Sequence, residues 1–284
     1  MRIIRNIKPM QEASKKARRN NQTIGFVPTM GALHQGHLSL IRRARRENAL
    51  VVVSIFVNPA QFSPQEDFKK YPRNFKRDIR MCKSEGVDII FYPDKKEMYP
   101  DNYRTYVMVE GLSDVLCGKF RPGHFKGVAT VVIKLFNIVH PDIAYFGQKD
   151  AQQAIIIKKM VEDLNLPLKI KVMPTLREKD GMALSSRNAY LKPNERRDAL
   201  VLERALNLAK DLVGQGKRNS SQIIRKMRQL IEQKKSAKVQ YISIVDLENL
   251  KPVAKIKEKA LIALAVSIGR TRLVDNIIVR PLNA

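Results

Sequence analysis

Residues 50–57, LVVVSIFV, form an unbroken apolar run of strand length. A strand with one wet face alternates, whereas an uninterrupted Val/Ile run needs cover on both faces, the situation of a parallel strand inside an α/β sheet. The flanking sequence supplies that cover. Helical spacing starts at Leu38 and continues through a basic stretch to Asn48, and it returns over 74–85, where Gly86 is placed to close the helix. β-prone runs lie at 23–27, stopped by Pro28, and at 87–92, 142–146 and 168–173. Residues 128–139 are apolar almost all round, which predicts a buried helix with a subunit contact as a further use. Residues 103–110 alternate in a way that suits an edge strand or one of different orientation. The expected fold class is α/β, a Rossmann-like parallel sheet with helices on both faces over 1–176. A smaller C-terminal α+β domain follows over 177–284, beginning at the polar, flexible stretch REKDGMALSSRN. It should carry helices over 194–213 and 220–233 and strands over 239–245 and 260–268.

The sharpest functional signal is FVPTMGALHQGHLSLI at 26–41, where a strand passes through a glycine-broken turn into a helix headed by His34 and His37. Three residues apart, the histidines share one helix face. That face lies in the first turn, where unpaired backbone N–H groups and the positive dipole end attract phosphate. Gly31 and Gly36 remove side chains where a nucleotide would approach the backbone. Imidazoles there can donate to phosphate oxygens as charge develops on them. The plain alternative is a surface helix with two incidental histidines; it loses weight because the chain has four histidines and two fall at one helix start. A zinc site would call for i, i+4 spacing with an intervening glutamate.

Ligands in open α/β sheets lie beyond the carboxyl ends of the strands, so the NPAQF turn after the 50–57 run should face the same pocket. Gln61 there offers a donor and an acceptor for a hydroxy acid or an amino acid, against the alternative of an ordinary loop glutamine. The run at 142–146 delivers GQKD in the same manner. Gly147 permits close approach and Lys149 supplies a cation for phosphate, while Asp150 could cap the helix or bind ribose hydroxyls or magnesium. Gln153 shares the face of Asp150. Ser185, Ser186 and Arg187 end a small-residue loop that can fold over a triphosphate and move. Arg121 and His124, in CGKFRPGHF, read first as a structural loop, with a phosphate role as the alternative.

Composition excludes other classes. With 44% hydrophobic and 28% charged residues the chain is too apolar for disorder, and it has no long uncharged run to span a membrane. The opening MRIIRNIKPM is interrupted by charge and is no secretory signal, so a cytoplasmic protein is expected. Cys82 and Cys117 lie far apart with no CxxC pairing and read as free thiols. Against 27 acidic residues stand 53 basic ones, a net charge of +26 that prompts a nucleic-acid hypothesis. The basic residues are spread along the chain with no basic tail and no aromatic-interleaved block, so a nucleic-acid partner is not expected. Such charge also steers anionic small substrates.

Neither GxxxxGK[ST] nor GxGxxG is present, so ATP would have to be bound by the histidine-headed helix. GALHQGH together with SSRN resembles the nucleotidyltransferase superfamily that shares its Rossmann-like core with class I aminoacyl-tRNA synthetases. In this order FVPTMGALHQGHLSLI, FVNPAQF, EDFKKYPR, RPGHFKGVATVV, YFGQKDAQQ and REKDGMALSSRNAYL resemble the pantoate–β-alanine ligase family, densely over 23–191 and loosely beyond. The resemblance implies a two-step reaction with ATP and Mg2+, in which pantoate is adenylated with release of pyrophosphate and β-alanine then displaces AMP. It implies that Met30, Gly31, Ala32, Leu33, His34, Gln35, Gly36 and His37 bind ATP, with His37 as proton donor and His34 assisting at the phosphates. Gly147, Gln148, Lys149 and Asp150 would contact ATP, Lys149 as a catalytic cation on the phosphates and Asp150 on the ribose. Leu176, Leu184, Ser185, Ser186 and Arg187 would complete the nucleotide site. Gln61 and Gln153 would hold pantoate, with Gln61 also near β-alanine. No residue is assigned to the metal, and a cytoplasmic homodimer is implied. The alternatives are a related nucleotidyltransferase that adenylylates another small acid, against which the neutral Gln61 and Gln153 argue, and a basic nucleic-acid-binding protein.

Overall fold

Val51, Val52 and Val53 are fully buried, so the apolar run at 50–57 is covered on both faces as its composition requires. The computed structural model describes residues 1–63, 66, 68 and 70–281. In chain order it builds β1 (Arg2–Ile4), α1 (Ile7–Arg19), β2 (Ile24–Thr29), α2 (Gln35–Glu47), β3 (Leu50–Ile55), α3 (Phe75–Ser84) and β4 (Ile89–Phe91). There follow α4 (Lys95–Met98), α5 (Cys117–Phe120), α6 (His124–Val139), β5 (Ile143–Gly147), α7 (Ala151–Asp163) and β6 (Lys169–Met173). The last part carries α8 (Pro193–Ala199), α9 (Val201–Gly214), α10 (Ser220–Glu232), β7 (Ala237–Val245), β8 (Ala260–Ile268) and β9 (Thr271–Val279). Two units result. The first comprises Met1–Asp114, Gly118–Gly147 and Ile156–Pro174; the second comprises Val115–Cys117, Gln148–Ile155 and Thr175–Ala284. The division at 174/175 lies beside the 176/177 boundary read from composition, and it also assigns 115–117 and 148–155 to the second unit.

In the first unit six strands among the described residues form one sheet in the order β1-β4-β3-β2-β5-β6, every pairing parallel. Alternation along β2 sends neighbouring side chains to opposite faces. Val27 joins Leu38, Ile41 and Ala44 of α2 in one apolar cluster, whereas Phe26 meets the ring of Phe136 on α6 edge-on at 6.4 Å. Helices therefore cover both faces, and each buried Leu, Ile or Val side chain contributes roughly 1.5–3 kcal/mol. Strand order reverses between β2 and β5, which makes their carboxyl ends the switch point where such sheets bind ligands.

Four details depart from the sequence reading. Pro28 does not stop β2, which runs on to Thr29. Thr23 and Thr29 turn their carbonyls toward β3, and Ile24 faces β5 by bonds to Asp142. Even-numbered residues therefore face β5, but pairing on that side ends at Phe26, so no neighbour asks Pro28 for the N–H it lacks. Residues 103–110 form no strand. The segment is extended, and Val107 donates its N–H to Thr130 Oγ1 on α6 at 2.9 Å, so a helix side chain takes the place of a neighbouring strand. The stretch at 194–213 forms α8 and α9, separated at Leu200, and β1, α1 and β9 were not anticipated at all.

The second unit carries an antiparallel sheet in the order β7-β8-β9. Helices α9 and α10 bury Leu202, Leu206 and Ala209 with Ile223, Met227 and Ile231 against Ile262, Leu264 and Val266 of β8. The β8–β9 hairpin turns on Gly269 and Arg270. Gly269 has φ +56, and a Cβ there would lie 2.0 Å from Glu195 Oε1, so both conformation and space demand glycine.

Candidate active site

The turn after β2 is built by hydrogen bonds to its backbone. Thr29 Oγ1 donates to the Ser54 carbonyl at 2.8 Å and accepts from Gly31 N–H at 3.1 Å. Gly31 and Ala32 follow in succession at φ +80 and +50. The N–H groups of Ala32 and Leu33 then donate to the two carboxylate oxygens of Asp78, at 3.0 and 2.9 Å. Asp78 lies on α3 and is 2% exposed. Burial pushes its carboxyl above the usual range, and the two backbone donors oppose that shift. A Cβ at Gly31 would lie 3.0 Å from both Asp78 Oδ2 and Ile55 Cγ2, so this glycine answers to the turn itself, whatever approaches from outside.

The two histidines close the turn onto α2. His34 is not inside the helix but caps it in extended conformation, its Nδ1 accepting from Gly36 N–H at 3.1 Å. His37, at the third helical position, returns its Nδ1 to the His34 N–H at 3.3 Å, and the rings lie 4.1 Å apart. This is a capping box with imidazoles in place of the usual Ser and Glu. Since both Nδ1 atoms accept, a neutral ring carries its proton on Nε2, so each ring's donor is Nε2–H. No acidic residue stands in the first turn of α2 to satisfy its positive end. The arrangement thus presents donors and a helix dipole suited to an anion.

Beyond β3, Asn58 caps the short 3-10 turn Pro59–Gln61, and Gln61 is 8% exposed. Gln61 Oε1 accepts from Asn58 Nδ2 at 3.0 Å, and its Nε2 donates to Met30 Sδ at 3.3 Å. Asn58 in turn donates to the Gly127 carbonyl and accepts from the Tyr99 hydroxyl at 2.9 Å. A Cβ at Gly127 would lie 2.1 Å from the Ala60 carbonyl oxygen, so α6 meets the turn backbone to backbone. The carbonyl of Gln61 accepts from His124 Nδ1 at 2.8 Å, which leaves His124 Nε2 to accept from Arg121 at 2.9 Å. Arg121 also pairs with both oxygens of Glu66. Burial works against the charged form of Glu66, but Arg121 holds its carboxyl below the usual range. Arg121 and His124 therefore brace the Gln61 turn, in line with the structural reading of their loop.

In the second unit Gln148–Asp150 forms a 3-10 turn that leads into α7. Lys149 Nζ lies 3.8 Å from Asp150 Oδ1, and the Asp150 side chain is 56% exposed. Asn276 of β9 donates to the carbonyls of Gln148 and Lys149 and accepts from Gln148 Nε2. Gln153 is half-buried on α7, next to a buried Gln152 that bonds the backbone of Val115 and Cys117. The REKDGMALSSRN stretch, read as polar and flexible, is held by several contacts. Leu184 N–H donates to the Leu176 carbonyl, Arg177 bridges Ala183, and Gly181 turns at φ +93. Arg177 holds both oxygens of the buried Asp275, and Arg196 holds Glu178 and Asp180. Ser185 caps the 3-10 turn Ser186–Tyr190 by accepting from Arg187 N–H.

The expected site residues thus divide between the units. Residues 30–37, Gln61 and Gly147 belong to the first, where Gln61 stands against Met30. Gln148, Lys149, Asp150, Gln153, Leu176, Leu184, Ser185, Ser186 and Arg187 belong to the second. Asp78, Tyr99 and Asn276 escaped the sequence reading, and Asn58 entered it only as part of the NPAQF turn. Among the described residues no group of three His, Cys, Asp or Glu is placed to hold a metal, and no helix is long and apolar enough to cross a membrane.

Comparison with known proteins adds a direct likeness. A family model described as pantoate-beta-alanine ligase matches residues 2–278. A pantothenate synthetase of Caldicellulosiruptor saccharolyticus is 55% identical over 279 residues, 98% of this chain and 99% of that one. Another, from Moorella thermoacetica, is 53% identical over 278 residues and 98% of each chain. The crystal structure of a Thermus thermophilus pantothenate synthetase matches with a TM-score of 0.94 at 44% identity, covering 99% of this chain and 100% of that one. A pantoate-beta-alanine ligase from Francisella tularensis, solved with beta-gamma ATP and beta-alanine, matches with a TM-score of 0.82 at 38% identity, covering 98% and 97%.

Proposed function

The chain belongs to the pantoate-β-alanine ligase family and joins pantoate to β-alanine with ATP, and we propose that it does so through a pantoyl adenylate formed over the His34–His37 turn. A carboxylate oxygen of pantoate attacks the α-phosphorus, and the bond to the bridging oxygen of pyrophosphate breaks. The amine of β-alanine then attacks the acyl carbon, loses a proton as the amide forms, and AMP departs.

The observation that carries this reading is the histidine capping box, which supports an anion site by leaving Nε2–H as each ring's donor at the amide end of α2. His37 donates to the phosphate oxygens as charge builds on them, with His34 beside it, and residues 30–37 line the nucleotide. Lys149 meets the departing pyrophosphate as a point charge, Asp150 takes the ribose, and Gly147 and Gln148 complete that edge. Leu176, Leu184, Ser185, Ser186 and Arg187 close the nucleotide site. Gln61 and Gln153 hold pantoate through neutral amides, and the rigid mounting of Gln61 on Asn58 and Tyr99 supports its share of that role.

Magnesium fits as a companion of the nucleotide. With no three-ligand group among the described residues and Asp150 largely exposed, phosphate oxygens, water and at most Asp150 would supply its ligands. Bound, it would neutralise charge on the triphosphate. We take the working form to be a cytoplasmic homodimer. The half-exposed Tyr106 and Met108 on the extended 103–110 segment support a partner surface, and light scattering should give twice the 32.5 kDa chain mass. The decisive test of the reaction is exchange of labelled pyrophosphate into ATP with pantoate present and β-alanine absent. Pantoate-dependent exchange, followed by AMP release on adding β-alanine, is expected. A folded, ATP-binding protein that shows no exchange would overturn the adenylate route.

A further inference from the structure

Asn276 lies in the middle of β9, opposite Ala263 of β8, and is 5% exposed. A buried primary amide costs free energy unless its donors and acceptor are satisfied, and here one short turn satisfies all of them. Nδ2 donates to the carbonyl of Gln148 at 3.0 Å and to that of Lys149 at 2.9 Å. Oδ1 accepts from Gln148 Nε2 at 3.0 Å. The two carbonyls belong to the peptide groups on either side of the Lys149 Cα. Holding both peptide planes leaves the backbone dihedrals of Lys149 little freedom, and those dihedrals fix where its Cβ points. Only a side-chain amide combines two donors with an acceptor on so short a stem; a carboxylate at this position would turn acceptors toward two carbonyl oxygens. The Asn276 N–H is itself tied to Asp275 Oδ1 at 2.8 Å, and Asp275 grips Arg177, so the clamp is rigidly mounted.

We propose that Asn276 is a positioning residue for adenylation, which clamps the backbone on both sides of Lys149 and so sets where its ammonium meets the triphosphate. This rests on the role given above to Lys149. Asn276→Asp, Asn276→Ala, Lys149→Ala and the Lys149→Ala/Asn276→Ala double variant separate the possibilities. Each is assayed for pantoate-dependent pyrophosphate exchange, for β-alanine aminolysis of separately prepared pantoyl adenylate, and for thermal melting.

A misplacement on the order of 1 Å costs on the order of 100-fold in rate, so exchange should fall by about that factor in both Asn276 variants. Aminolysis, in which pyrophosphate has already left, should stay within about twofold. On the Lys149→Ala background, Asn276→Ala should add less than about threefold, because two residues acting through one contact are not additive. Equal losses in both half-reactions, or a full multiplicative loss in the double variant, would make Asn276 a general support and overturn the inference. So would failure of both single Asn276 variants to fold. Normal exchange in folded Asn276 variants beside a large loss in Lys149→Ala would sink the positioning role alone. Undiminished exchange in Lys149→Ala would remove the role of Lys149 and this inference together.

Discussion

One imidazole at position 37 offers two nitrogens for two tasks: Nδ1 accepts the His34 N–H and closes the helix cap, while Nε2–H is the donor we propose for phosphate. The tasks can be separated by substitution. His37→Ala should lose both, about 1 kcal/mol of stability from the cap and on the order of 100- to 1000-fold in pyrophosphate exchange. His37→Asn places an amide oxygen near Nδ1 and should recover most of the melting temperature but none of the rate. His37→Gln, which can close a capping box from the third helical position through its amide oxygen and carries an amide nitrogen reaching toward the Nε2 position, should recover stability together with part of the rate. Melting curves and exchange rates for the three variants check this, and an Asn variant as fast as wild type would remove Nε2 from the mechanism. The helix start at His34 was legible in the sequence because it rests on residues a few positions apart, and Gln61 was noted beside the alternative of an ordinary loop glutamine. Asp78, Tyr99 and Asn276 were not, because their partners lie 46, 41 and 128 residues away, and no periodicity spans such gaps. Asn276 did leave a trace, a polar Asp-Asn pair in the middle of the apolar run TRLVDNIIV. Gly31 meets a demand the sequence did not reveal, since its left-handed φ and the closeness of Asp78 require glycine whether or not a ligand approaches.

Helix α2 is pinned at its far end as well. Glu47, in its last turn, stands where the helix dipole disfavours an anion, and it persists there because Lys171 of β6, the hydroxyl of Tyr145 on β5 and Arg43 surround it. The bonds from Lys171 and Tyr145, against the cost of burial, pull its carboxyl down to about 2. Since the folded value lies below the unfolded one, the contribution is complete above the ordinary range near 4.5 and is lost as pH falls toward about 2. Glu47→Gln should therefore melt below wild type at neutral pH, with the gap closing between about pH 4.5 and 2. A gap that stays constant on acidification would show that the substitution acts through packing instead of charge. Elements read correctly when their burial is two-sided or evenly periodic, as in β3, α6 and β8. They were misread where tertiary partners override local pattern: Pro28 survives in β2 because its neighbour strand has diverged, and 103–110 yields its backbone to Thr130. The β8–β9 hairpin was readable in principle from Gly269-Arg270 between two β-prone runs, a two-residue turn that went unused.

The net charge of +26 belongs to the whole molecule, since no step of the ligation asks for it. Were each of the 27 acidic side chains to hold one cation, 26 basic residues would still be in excess, so repulsion among like charges acts against the folded state alongside the pairing. Exposed pairs such as Lys15–Glu12 and Arg228–Glu232 contribute about 0–1 kcal/mol each and weaken as salt rises. The more enclosed pairs, Arg177–Asp275 and Arg121–Glu66, are less screened. Raising ionic strength from about 0.01 to about 0.15 M shortens the screening length from about 30 to about 8 Å, which removes most of the repulsion between separated cations. The melting temperature should therefore rise by a few degrees across that range. The same screening weakens the attraction between a cationic protein and a polyanionic nucleotide, so the KM for ATP should rise over the same interval. Stability and nucleotide affinity moving in opposite directions with salt, read by calorimetry and by exchange kinetics on one sample series, would trace both to the excess of positive charge. A melting temperature that falls with salt would instead mean that specific ion pairs, despite their small number, outweigh the surrounding field.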